Sequence, residues 1–169
     1  MAPDIRKQDE FARVLEEHRR IVFKVANTYC RELEDRADLA QEIAAQLWRA
    51  YPSYDHVRPF STWMYRIALN VAISYVRTSS RRAVHTVPLD DQVQERLAGR
   101  DRSSEADERV RELYRIIDQL DTLNRALLLL YLDEHSYREI ADILGISESN
   151  VATKISRLKQ RLRDDMKGN

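Results

Sequence analysis

The sequence predicts an all-α protein of two small helical domains, residues 9–83 and 108–166, joined by a flexible linker over 84–107. Three observations predict it. Glycine and proline number only three and four among 169 residues, too few for the turns that strands demand. Apolar residues recur at three-four spacing on both sides of the middle, the period of a helix with one buried face. Across 81–107 that period is lost, and Pro88, Gly99, Ser103 and Ser104 mix with Asp90, Asp91, Glu95, Asp101 and Glu105, the composition of a solvated tether.

The elements follow in order. A first helix is expected over about residues 9–31, with Phe11, Val14, Leu15, His18, Ile21, Val22, Val25, Ala26 and Tyr29 on one stripe. On that stripe His18 reads as a satisfied core residue, and Cys30 beside it as a plain buried thiol. A second helix is expected to start with Asp38 as N-cap and to carry Leu39, Ile43, Leu47 and Ala50 to a stop at Pro52. Residues 51–59 read as a loop. Ser61 is then expected to cap a third helix with Met64, Ile67, Ala68, Val71 and Tyr75 inward, fraying near Thr78. The second unit carries Val110, Leu113, Ile116, Ile117 and Leu120, then the apolar run 123–132, then two short helices. Neither half has a large core, so the two are expected to move relative to each other until a partner fixes them.

The most specific pattern lies between 136 and 162. Ser136 followed by Glu139 forms a capping box that fixes a helix start. Ile140, Ile143 and Leu144 give that helix a buried face, and the small Ala141 lets a second helix approach. Gly145 stands where a helix closes in the left-handed conformation. Ile146 fills the corner, Ser147 caps the next helix, and Val151, Ile155, Leu158 and Leu162 form its stripe. Two short helices about a tight glycine turn make a helix-turn-helix. The face opposite the stripe carries Ser149, Asn150, Thr153, Lys154, Arg157, Gln160 and Arg161, side chains suited to base edges and phosphates in a major groove.

The segment 60–82 combines Phe60, Trp63, Tyr65 and Tyr75 with Arg66, Arg77, Arg81 and Arg82 and contains no acid. Flat rings stack unpaired bases while arginines track phosphates, a mixture suited to single-stranded DNA. Aromatics on a helix also fill cores, so this pattern alone leaves both readings open. Just upstream, Glu32, Glu34, Asp35, Asp38 and Glu42 surround Gln41, Gln46 and Trp48. Acids of that density repel DNA, so they face solvent or a protein partner.

Other classes fit poorly. Net charge is zero, so distribution and not excess carries the case for DNA. His18, His56, His85 and His135 are scattered without metal-ligand spacing or a paired nucleophile. No glycine-rich phosphate loop occurs, and one cysteine forms neither a disulfide within the chain nor a thiolate cluster. No cofactor is expected, and the chain does not read as an enzyme. A dimeric helix-turn-helix repressor would need a dimer-forming apolar surface and a ligand or phosphorylation site, and neither is visible. No signal peptide or membrane-length apolar run occurs, so a cytoplasmic protein without membrane insertion is expected. No further domain is expected after Asn169.

These residues together resemble the sigma-70 type sigma factors of bacteria, specifically the small two-domain extracytoplasmic-function (ECF) group. Asp38-Leu-Ala-Gln-Glu-Ile with Leu47-Trp48 is similar to the region-two helix that docks on the clamp of RNA polymerase. The resemblance implies Asp35, Asp38, Leu39, Gln41, Glu42, Gln46 and Trp48 as polymerase contacts. Phe60-Ser-Thr-Trp-Met-Tyr-Arg-Ile-Ala-Leu-Asn is similar to the segment that captures a melted minus-10 element, implying Tyr54, Ser61, Trp63, Arg66, Asn70, Arg77, Arg81 and Arg82. Residues 137–157 are similar to the region-four helix-turn-helix that reads the minus-35 duplex. The resemblance covers nearly the whole chain outside the linker. It departs at Ile73-Ser-Tyr-Val and Ala152-Thr-Lys-Ile, which replace more basic patterns. It implies core polymerase, at clamp and flap, and promoter DNA as partners, with an anti-sigma factor as a further candidate.

Overall fold

The structure, a computed structural model, describes residues 5–83 and 105–168, those from 80 to 83 by their backbone only. The expected linker therefore lies outside the described residues as far as 104. The described residues form helices α1 (Ile5–Glu17), α2 (Arg19–Tyr29), α3 (Leu33–Ala50), α4 (Phe60–Ala83), α5 (Glu105–Gln119), α6 (Thr122–Leu132), α7 (Tyr137–Leu144) and α8 (Glu148–Lys167), with a 3-10 turn at Tyr51–Ser53.

Several boundaries differ from expectation. The first helix breaks at His18, whose φ of −111° and ψ of 12° leave the helical region. Its Nδ1 lies 2.9 Å from the Val14 carbonyl oxygen, and its ring packs 5.0 Å from Phe60. The apolar stripe continues through the break, so nothing in its spacing marks it. The acidic helix begins at Leu33 behind Glu32, not behind Asp38. Asp38 lies inside α3, and Glu34 and Asp35 in its first turn complement the helix dipole. Helix α4 opens at Phe60, with the Trp63 N–H donating to the Pro59 carbonyl at 3.2 Å. Ser61 thus sits in its first turn and is not its cap, and the helix continues past Thr78 to Ala83. Helix α5 starts at Glu105, three residues before the expected boundary.

Helices α2, α3 and α4 pack on one another. Val25, Leu39, Ile43, Leu47, Met64, Ala68 and Ala72 are wholly buried there, and each large side chain contributes about 1.5–3 kcal/mol by burial. In the other half, α6, α7 and α8 surround Leu127, Leu130, Ile140, Val151 and Ile155. Cys30 is buried, as expected, and burial pushes its thiol up.

The two halves touch in this structure. Helix α2 lies against α6, and α4 against α7. The Tyr29 hydroxyl donates to the Thr122 carbonyl at 2.6 Å. Arg31 pairs with Asp118 at 2.6 Å while its guanidinium sits 4.5 Å from the centre of the Tyr114 ring. Lys24 pairs with Asp133, and Arg58 with Asp142 at 3.3 Å. Partly exposed pairs of this kind contribute on the order of 0.2–1 kcal/mol each, so the contact orients the halves without welding them.

Candidate nucleic-acid interface

The helix-turn-helix is built as its sequence dictates. The Glu139 N–H donates to the Ser136 hydroxyl at 3.1 Å, and the Ser136 N–H to the Glu139 carboxylate at 2.7 Å. That backbone bond, reinforced by the Ser136 hydroxyl and outweighing a little desolvation, holds the Glu139 carboxyl below its ordinary range. Gly145 closes α7 at φ 69°, and the N–H groups of Gly145 and Ile146 both donate to the Ala141 carbonyl, at 2.9 and 3.2 Å. A side chain at this φ is strained. Ser147 then caps α8 through the Asn150 N–H at 3.1 Å.

Val151, Ile155 and Leu158 bury one side of α8. Ser149, Asn150, Thr153, Arg157, Gln160 and Arg161 are exposed, and Lys154 is half-buried at the edge. The structure thus brings the seven predicted residues onto one helix, on the side away from the core. Gln160 donates to Asp164 at 2.9 Å and Arg161 pairs with Asp165 at 3.8 Å, so both must exchange a partner within α8 to meet DNA.

In the other half, an open cleft of about 270 Å³ is lined by Arg58, Thr62, Trp63, Arg66, Ile67 and Asn70. The loop before α4 forms one wall. Its shape is fixed by the Tyr54 hydroxyl donating to the Arg58 carbonyl at 2.7 Å, and by the Asp55 carboxylate accepting from the Val57 N–H at 3.0 Å. His56, at φ 60°, supplies the sharp turn. Tyr54, Phe60 and Trp63 pack on each other, edge-on or tilted, with ring centres 5.0–5.5 Å apart, which holds the Trp63 indole at the cleft. Arg66, Asn70 and Arg77 are exposed along α4. Arg81 and Arg82 fall where the side chains are outside the described residues. Arg58, Thr62 and Ile67 line the same cleft without being among the expected residues; an arginine beside Pro59 next to an aromatic helix start is the available signal for the first.

On α3, Asp35, Asp38, Gln41, Glu42 and Trp48 are exposed, Gln46 is half-exposed and donates to Glu42 at 3.2 Å, and Trp48 leans on Phe11 at 5.2 Å. Leu39 corrects the expected contact set. It is wholly buried, because its position on the stripe with Ile43 and Leu47 turns it to the core, so it holds α3 in place and offers no surface.

Comparison with known proteins places this geometry. Residues 14–82 match the family Sigma-70 region 2, and residues 110–162 match Sigma-70, region 4. Over 130 residues the chain is 32% identical to the ECF RNA polymerase sigma factor SigM of Bacillus subtilis, covering 75% of this chain and 76% of that one. The chain belongs to the ECF sigma factors. SigW of the same organism is 27% identical over 174 residues, 95% of this chain and 90% of that one. Among solved structures, this sigma factor shares its fold with RpoE, in complex with the anti-sigma factor NepR from Bartonella quintana, at TM-score 0.70 and 17% identity over 94% of this chain and 97% of that one. It also shares it with CnrH, in complex with the cytosolic domain of CnrY, at TM-score 0.68 and 21% identity over 96% and 90%. Among the described residues of this sigma factor, no helix is long and apolar enough to cross a membrane.

Proposed function

We propose that this sigma factor binds core RNA polymerase and directs it to promoters, with the acidic face of α3 on the clamp and the C-terminal half at the flap. Helix α8 reads the minus-35 duplex. The cleft between the 54–59 loop and α4 takes unpaired bases of the minus-10 strand, with Trp63 as the stacking surface, Asn70 as a hydrogen-bonding group and Arg66 and Arg77 along the phosphates. The observation that carries this reading is the packing of an acid-rich helix, α3, directly against an acid-free aromatic and arginine-bearing helix, α4. One small unit thereby offers a protein-facing surface and a DNA-facing surface. Stacking contributes on the order of 1–3 kcal/mol per base, which offsets part of the cost of melting.

The role is one of binding, without a catalytic residue, and the site of action is the cytoplasm. An anti-sigma factor is a further partner, on the analogy of the fold shared with RpoE, which is seen with NepR. A footprint of the holoenzyme on its promoter tests the assignment. Arg157→Ala should erase protection at the upstream element. Asn70→Ala should keep upstream protection and lose permanganate reactivity at the downstream one. The reverse pattern would overturn the assignment of the two surfaces.

A further inference from the structure

We propose that the cleft where the α2–α3 junction meets α5 binds a small polyphosphate anion, held by the guanidinium groups of Arg31, Arg36, Arg111 and Arg115. The cleft is open, about 630 Å³ in volume, and lined by these four arginines together with Tyr114 and Asp118. None of the four belongs to a surface assigned to DNA or to polymerase, so the sigma-factor reading leaves the cluster without a role. The chain carries no net charge, so no basic excess accounts for four cations in one cleft. Like charges gathered in this way repel one another. One acid, Asp118, stands among the lining residues, and Arg31 already engages it at 2.6 Å. A multiply charged anion is the partner that turns this repulsion into binding.

Two of the arginines are positioned before any ligand arrives. Arg36 donates through Nε to the Cys30 carbonyl at 3.0 Å and through Nη2 to the Arg31 carbonyl at 2.6 Å, so the main chain of the junction sets its place. Arg31 is set by the Asp118 carboxylate and by the Tyr114 ring, whose centre lies 4.5 Å from its guanidinium carbon. Groups fixed in advance lose little freedom on binding, and the planar guanidinium meets two phosphate oxygens at once. Arg111 and Arg115, one turn apart on the exposed side of α5, supply two more such forks from the other half of the chain. Arg115 pairs with Glu112 at 3.2 Å, an exposed contact that costs little to exchange. The volume falls in the range of roughly 300–1,000 Å³ that suits small organic ligands, so it fits a chain of phosphates or a nucleotide better than one inorganic phosphate. Tyr114 is exposed, and a nucleobase would extend its stack with Arg31.

The test titrates the full chain, without polymerase, with sodium tripolyphosphate, ATP and inorganic phosphate at constant ionic strength, followed by calorimetry. Tripolyphosphate should fill one saturable site and bind about tenfold more tightly than inorganic phosphate, because it reaches more of the guanidinium groups. Arg111→Gln and Arg115→Gln replace exposed residues of α5 with another good helix former, so both should melt like the wild type by circular dichroism. Each should weaken tripolyphosphate about tenfold, the loss expected for a charge-assisted hydrogen bond. Arg115→Lys keeps the charge without the fork and should restore part of the affinity. Arg6→Gln removes one charge from the exposed side of α1 and should change nothing. ATP binding more tightly than tripolyphosphate, with the gain lost in Tyr114→Ala, assigns a nucleotide to the site, whereas equal affinities assign the phosphate chain alone. No saturable binding of tripolyphosphate, or an equal loss in Arg6→Gln, overturns the site. A single-stranded DNA that displaces tripolyphosphate and depends on Arg111 and Arg115 overturns the small anion in favour of nucleic acid.

Discussion

The Tyr65 hydroxyl of α4 donates to the Asp133 carboxylate at the end of α6, 2.7 Å away and 68 residues on in the chain. Burial and this acceptor both raise the Tyr65 hydroxyl far above its ordinary range, so it stays a donor at any working pH. Burial alone would raise Asp133, but the hydrogen bonds from Lys24 and Tyr65 outweigh it and hold the carboxyl below its usual value. The pair ties the two halves of the protein at a point flanking both proposed DNA-reading surfaces.

Acid should therefore loosen the structure in a defined window. Asp133 and Glu139 both have depressed folded values. Each adds stability that is complete above its ordinary value, 3.8 for Asp133 and 4.5 for Glu139, and is lost as pH falls through the lower folded value. Denaturation by urea across this range should show stability falling as pH drops below 4.5. The fall should be shallower in Asp133→Asn/Glu139→Gln.

The helix-turn-helix should respond to its own caps. Ser136→Ala removes the acceptor for the Glu139 N–H and should cost about 0.5–2 kcal/mol. Gly145→Ala meets nothing within 4 Å, so its cost, on the order of 1–2 kcal/mol, comes from the left-handed backbone alone. Chemical denaturation of the full chain measures both.

Helix α3 offers a contrast between a core residue and its exposed neighbours. Leu39→Ala should destabilise by about 2–5 kcal/mol, and any loss of polymerase binding should follow the loss of folding. Asp38→Lys and Glu42→Lys, on exposed positions, should melt like the wild type yet fail to retain core polymerase in a pull-down.

The two DNA surfaces should fail differently. Arg157→Ala should weaken upstream-duplex binding by about 1–3 kcal/mol if it contacts a base edge. Trp63→Ala should leave upstream binding in place and slow open-complex formation by a similar amount, read by permanganate reactivity over time.

Legibility of the sequence followed the range of the interactions. Ser136, Glu139, Gly145 and Ser147 act on backbone within three or four residues of themselves, so the helix-turn-helix could be read position by position. The stripe Leu39, Ile43, Leu47 placed α3 but not its start, because Leu33 is exposed and Glu32 makes no side-chain cap. The break at His18 carries neither glycine nor proline and left no mark in the pattern. Lys24 with Asp133 and Arg58 with Asp142 were out of reach, since charged residues have no periodicity that names a partner in the other half.

Run-off transcription with purified core RNA polymerase, with and without this protein, on genomic fragments that include its own upstream region tests the central claim most directly. The account predicts discrete new start sites that depend on the protein, weakened by Arg157→Ala and by Asn70→Ala. Unchanged polymerase output, with the protein alone shifting duplex DNA, would contradict it.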